Sequence, residues 1–195
     1  MLACADRAVT HWEKAQAGTR ERSVGISLRG LAHRLKADYS AAIAVFQEAL
    51  DLHRALSAES EDVAITLNDL ASAERDSGDL VAAERDYREA LRVARAVGYA
   101  EGVAIFTGNL ASLALDREDW PGAETLAREA LHLAEQVGRQ ELIAEDCSCL
   151  AKAMVRQGKK AEALPHARRA VDIYTRLGSP DLEGARATLA ECESG

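Results

Sequence analysis

Thiols, imidazoles and clustered carboxylates are the groups through which this chain could do chemistry. It has four cysteines, Cys4, Cys147, Cys149 and Cys192. A thiol pair that binds metal or cycles through a disulfide needs both sulfurs on one side of the backbone. Cys147 and Cys149 are two residues apart, about 200° around a helix axis, so they face apart. Cys147 also falls on the apolar stripe of its segment, which predicts a reduced, buried or half-buried thiol. The five histidines are His11, His33, His53, His132 and His166. None stands four residues from another and no H-E-x-x-H run is present, so a solvated surface position is expected for each. The 13 glycines mostly sit at the ends of predicted elements, and no glycine-rich phosphate loop is found. Trp120, directly after Asp119, is expected to anchor packing rather than stack on a ligand. Neither a metal or cofactor site nor a catalytic constellation is expected.

The elements that would position any functional group are set by repetition. "REALRVARAVG" at 88–98 and "REALHLAEQVG" at 128–138 share seven of eleven residues. The Ala-aliphatic pair inside them recurs as Ala8-Val9, Ala49-Leu50, Ala90-Leu91, Ala130-Leu131 and Ala170-Val171. A Leu-Ala pair alternates with it at Leu31-Ala32, Leu70-Ala71, Leu110-Ala111, Leu150-Ala151 and Leu189-Ala190. Both recur at intervals of about 40 residues, so the repeat unit has two elements and the fold is a solenoid. Val63, Leu67, Leu70 and Ala71 follow helical spacing, as do Ile143, Cys147, Leu150, Ala151 and Met154. These segments are called A helices. Ala83, Tyr87, Ala90, Leu91, Ala94 and Val97 mark a B helix. Asp38, Asp79 and Asp119 stand where B helices need N-cap acceptors, with Pro121 in a first turn. Gly98, Gly138 and Gly178 stand where B helices end. "SPDLE" at 179–183 reads as a Ser cap, a proline and first-turn acids.

Ala71, Ala83 and Ala90 place a small residue late in helix A, another twelve residues on and a third seven beyond. Ala111, Ala123 and Ala130 repeat this, as do Ala151, Ala163 and Ala170. Small residues at crossings let backbones approach within about 8–10 Å. The pattern resembles the tetratricopeptide repeat family, with the long repeats of kinesin light chain, Rap-type regulators and the sensor regions of bacterial STAND ATPases and the maltose-regulon activator. The first hairpin departs, since Ala32 and Ala42 are ten residues apart, and a shorter turn is expected there. Glu74 occupies a position the family often fills with an aromatic or apolar residue.

The resemblance implies an all-α, right-handed superhelical solenoid of about ten antiparallel helices spanning residues 1–195 as one domain. The parts are an unpaired B helix at 1–17, hairpins at 21–57, 60–97, 99–137 and 139–177, and a terminal A helix at 179–192. It also implies a concave groove lined by A helices. By family position that groove receives Arg29, His33 and Lys36, then Asn68, Ser72, Arg75 and Asp76, then Gly108, Asn109, Ser112 and Asp116, and finally Ser148, Lys152 and Arg156. Arg and Lys outnumber Asp in this set although the whole chain carries a net charge of −8. The expected ligand is therefore an acidic protein or peptide, or one offering a C-terminal carboxylate, held by Arg29, Arg75, Lys152 and Arg156. Asn68 and Asn109 would bond its backbone. Charge-rich B helices such as "ERDYREALRVAR" are expected to form the solvated convex face.

No stretch approaches the ~20 apolar residues of a membrane span, and "MLACADRAVTHW" lacks the basic and apolar regions of a signal peptide. Without a Lys/Arg cluster, nucleic acid is not an expected partner. The sequence opens in a B helix and closes after an A helix. Each end would leave a stacking face bare, so the segment is expected either to belong to a longer protein or to self-associate through its ends. The expectation is a cytoplasmic, non-enzymatic interaction domain of a bacterial regulatory protein. The other reading is a sensor whose superhelix encloses a small ligand or signal peptide and switches an attached output domain.

Overall fold

The computed structural model describes Arg7 and residues 19–194. Nine helices lie among the described residues. They are α1 (Thr19–Arg34), α2 (Tyr39–Leu56), α3 (Glu61–Ser77), α4 (Leu80–Val97), α5 (Ala100–Asp116), α6 (Trp120–Val137), α7 (Gln140–Arg156), α8 (Lys160–Leu177) and α9 (Leu182–Glu193). Odd-numbered helices are the A helices and even-numbered ones the B helices. No strand is present among the described residues. Of the helix expected at 1–17 only Arg7, which is helical, is among them, and Cys4 and His11 lie outside. The chain divides into two compact units, Met1–Gly102 and Val103–Gly195.

Local sequence sets the helix ends. Asp38, Asp79 and Asp119 each accept the backbone N–H three residues on, from Ala41, Ala82 and Gly122, which satisfies one orphan donor of each first turn. Gly98, Gly138 and Gly178 close α4, α6 and α8 with φ of +73°, +77° and +63°, a region where a Cβ is strained. The "SPDLE" start falls later than expected. Ser179 Oγ accepts from Asp181 N at 3.2 Å in a turn, and the helix begins only at Leu182.

Within the first unit α1 packs on α2, α2 on α3, and α3 on α4. In the second, α6 packs on α7, α7 on α8, and α8 on α9, while the A helices α7 and α9 also touch. The signature alanines sit at these crossings. Ala71, Ala83, Ala90, Ala111, Ala123, Ala130, Ala151, Ala163 and Ala170 are all 0% exposed. Ala190 departs from the series and is exposed, because no described helix crosses it. Larger side chains fill the space between, chiefly Phe46, Leu67, Leu70 and Tyr87 in the first unit. Ile143, Leu150, Met154, Ile173 and Tyr174 do so in the second.

The first hairpin corrects the expectation of a shorter turn. Helix α1 ends two residues after Ala32, whereas α3 runs six residues past Ala71. The connection 35–38 has four residues against two at 78–79, with Ala37 at φ +58°. The residues missing from the Ala32–Ala42 interval come from the helix, not the turn. Glu74 is buried at 6% exposure. Arg85 reaches its Oε1 at 3.6 Å while holding Asp86 through Nε at 2.7 Å. Burial and the neighbouring Asp86 raise Glu74 to about 7. His53 is also a correction. It is buried at 5% exposure, with Nδ1 2.8 Å from Thr66 Oγ1, because its position on α2 faces α3 rather than solvent.

Candidate functional site

Cys147, Cys149 and Cys192 are free and buried, and burial pushes the Cys147 thiol up to about 11. Among the described residues no group of three His, Cys, Asp or Glu side chains could hold a metal. No helix among them is long and apolar enough to cross a membrane. The candidate site is the face built by A helices, taken unit by unit.

In the first unit this face differs from the expected basic groove. Arg29 Nη2 donates to Glu48 Oε2 on α2 at 3.0 Å, so its charge is directed into the hairpin. His33 Nδ1 lies 3.1 Å from the capping carboxylate of Asp38. Lys36 is in the α1–α2 turn and not on a helix. Ser72 is buried, donates to the Asn68 carbonyl at 2.9 Å and lies 2.9 Å from Tyr87 Oη. It is a packing residue rather than a groove residue. Asn68 and Arg75 are half-buried on α3, and Asp76 is held by Arg34 Nε at 2.7 Å. What opens between α1 and α3 is a cleft of about 190 Å³ lined by Val24, Leu28, Leu31 and Ile65 together with the polar Ser27, His53, Asp62, Thr66 and Asp69. Val24, Leu28 and Ile65 are 44%, 47% and 40% exposed. Burial raises Asp69 to about 6 against the pull of Arg34.

In the second unit two spaces flank α7. Between α7 and α9 a cleft of about 220 Å³ is lined by Lys152, Val155, Arg156, Ala187, Thr188 and Glu191. Lys152 and Arg156 are exposed, as expected, and Arg156 Nη1 is 3.6 Å from Glu191 Oε2. Between α5 and α7 a small cavity of about 30 Å³ is lined by Gly108, Asn109, Ser112, Glu145 and Asp146. Ser148 is buried and takes no part in either space. Asp146 is 4% exposed. Burial first, then Glu145, raise its carboxyl to about 8. Glu145 is itself raised by desolvation, Asp181 and Glu141. Gly108 makes the room, since a Cβ there would stand 2.7 Å from Asp146 Oδ1.

Of the residues named by family position, Asn109, Ser112, Lys152 and Arg156 line these spaces, and Asp69, Glu145 and Asp146 line them as well. With these three carboxyls added and Lys36 removed, the positive excess disappears. A signal for Asp146 was present in the repeat. It lies four residues before Leu150, in register with Thr66 and Phe106, both of which are buried. An acid in a core column is a buried carboxyl.

The outer, B-helix side of the first unit has a wider cleft of about 890 Å³. Its charges are engaged with one another: Arg88 with Glu84 at 2.6 Å, and Arg92 with Glu59 at 2.7 Å and Glu89 at 2.8 Å.

Family models described as tetratricopeptide repeat match residues 23–96 and residues 106–137 and 147–181. No curated protein matches the chain in sequence. Among solved structures it is similar to BtubC (BKLC) from P. vanneervenii, with a TM-score of 0.83 at 21% identity over 98% of this chain and 81% of that one. TPR-like repeats assigned to a kinesin light chain of Podosopora anserina give 0.71 at 16% identity, over 89% of this chain and 85% of theirs. Aspartyl phosphate phosphatase F from Bacillus subtilis gives 0.74 at 16% identity over 89% of this chain, which spans only 47% of that protein. At these identities the likeness is one of fold.

Proposed function

Given that this chain belongs to the tetratricopeptide repeat family, whose repeats are protein-interaction scaffolds, we propose that it is a non-enzymatic domain binding a protein or peptide segment. Its place is the docking or sensing part of a larger, cytoplasmic bacterial regulatory protein. One observation carries this reading. The A-helix face keeps open clefts with exposed Val24, Leu28 and Ile65 in one unit and exposed Lys152 and Arg156 in the other. Exposed apolar side chains grouped in a cleft suit a partner's side chains. Lys152 and Arg156 suit a carboxylate. The open clefts favour an extended polypeptide over an enclosed metabolite. Reduced buried thiols suit a reducing compartment, and the long repeat resembles those of bacterial sensor regions.

The test begins with a partner captured from the source cells, followed by variants. Ile65→Ser, Lys152→Ala and Arg156→Ala on the A-helix face are compared with Arg88→Ala on the outer face. Each A-helix variant should weaken binding by about tenfold or more if its contact is desolvated, and Arg88→Ala by less than about twofold. Weakening by Arg88→Ala alone would move the site to the outer face.

A further inference from the structure

The Asp146 cavity makes no use of its carboxyl. Asp146 is 4% exposed, and among the described residues no hydrogen bond or ion pair engages it. A buried polar group is ordinarily satisfied, by protein or by a bound molecule. Here the fold supplies space in place of a partner. Gly108, across the cavity on α5, has no side chain where a Cβ would stand 2.7 Å from Asp146 Oδ1. The α5 residues lining the cavity, Ala104, Ile105, Gly108, Asn109 and Ser112, carry no charge. The titratable groups that feel Asp146 are Glu145 and Cys147 on its own helix and Tyr174 on α8. None of these is a cation, so the site has acceptors and negative potential but no internal counter-charge.

We infer that this cavity is a subsite for a primary ammonium group, from a lysine side chain or a free chain N-terminus of the bound polypeptide. Its volume of about 30 Å³ is the share of one water molecule, which fits an –NH₃⁺ head and excludes a planar guanidinium. An ammonium brings three donors and no acceptor. The wall provides the Asp146 carboxylate, the Asn109 amide oxygen and the Ser112 hydroxyl, with Glu145 at the mouth. Asp146 releases its proton to solvent as the cation enters, and the buried carboxylate then has the counter-ion it lacks. Asp146 and Lys152 are six residues apart on α7, about 9 Å along the axis. They point about 120° apart around that axis, so the amine subsite and the Lys152 cleft are separate sites on α7.

The subsite rests on the proposal that the A-helix face binds a polypeptide, but its test is independent of any partner. The ¹⁵N- and ¹³C-labelled chain is titrated with three probes: Nα-acetyl-lysine amide, alanine amide and Nα-acetyl-norleucine amide. Saturable shifts are expected at the Gly108, Ser112 and Asp146 amides with one or both amines. They should be absent with norleucine and weakened at least tenfold in Asp146→Asn. The responding amine identifies the side chain or the N-terminus as the source. In the unaltered chain the same amine should lower the pH at which the Asp146 carboxyl carbon titrates, a readout that needs no variant. Gly108→Ala, which fills the cavity, should also abolish the response. Linear shifts, an equal response to norleucine, or an Asp146→Asn variant that binds like the parent would leave only a water-filled cavity and overturn the subsite. Continued partner binding sensitive to Lys152 in that case would keep the groove reading and remove only the amine pocket.

Discussion

Asp146→Asn should make the protein more stable, and only above about pH 4. In the folded chain Asp146 holds its proton to about 8, while in the unfolded chain it releases it near 3.9. Between those values the folded state binds more protons than the unfolded one, so the Asp146 contribution to stability falls as pH rises through the window. A tenfold change in the proton equilibrium is worth about 1.4 kcal/mol. The whole displacement would thus cost roughly 5 kcal/mol at pH 8, and partial hydration through the cavity mouth reduces it to about 2–4 kcal/mol. Asparagine has nearly the shape of the protonated acid and does not titrate. The variant and the parent should therefore agree within about 1 kcal/mol near pH 4 and diverge by about 2–4 kcal/mol near pH 8, with the variant the more stable. Glu74, raised to about 7, and Asp69, raised to about 6, titrate in both proteins and cancel in the difference. Urea unfolding followed by circular dichroism at about pH 4, 6.5 and 8 measures that difference. A difference that stays constant across pH would mean that Asp146 is ionised and solvated in the folded chain.

Three further outcomes are expected. Ala130→Leu, at a crossing where Ala130 is 0% exposed, should destabilise by about 1–3 kcal/mol in the same assay, and a parent-like midpoint would displace the crossing. Glu124 lies between Arg128 Nη2 and Lys159 Nζ, each at 2.7 Å, with Gln157 Nε2 at 2.8 Å. These donors hold its carboxyl down at about 2, so its contribution is complete above about pH 4.5 and is lost as pH falls toward 2. Glu124→Gln should cost about 1–3 kcal/mol at neutral pH and much less near pH 2, read by unfolding midpoints at both. Cys147, 0% exposed with its thiol raised to about 11, should react with a thiol reagent such as dithionitrobenzoate only after denaturation, and fast labelling of the native protein would contradict its burial.

The fold was legible because its determinants are local and repeated. A small residue at each crossing, an aspartate before three B helices and a glycine after three act within a few residues, and the period shows which positions share a role. Ala71, Ala83 and Ala90 needed no knowledge of their neighbours to be assigned to a crossing. The A-helix positions Lys152 and Arg156 were legible for the same reason, since a helix has one periodicity and its exposed stripe follows from its buried one.

Which partner each side chain meets was decided only by tertiary structure. Arg29 and Ser72 occupy groove positions by count, yet Glu48 on α2 and Tyr87 on α4 draw them into their hairpins. His53 reads as a surface residue until α3 places Thr66 against it. The early end of α1 leaves Lys36 in a turn. Asp146 reads as one more acid on a charged helix. Its fit depends on a glycine 38 residues earlier in sequence, and its raised carboxyl on burial first and then on Glu145. Periodicity fixes the direction of a side chain about its own axis. The second helix, which supplies the counter-charge, the cover or the gap, is set by the packing of the whole repeat.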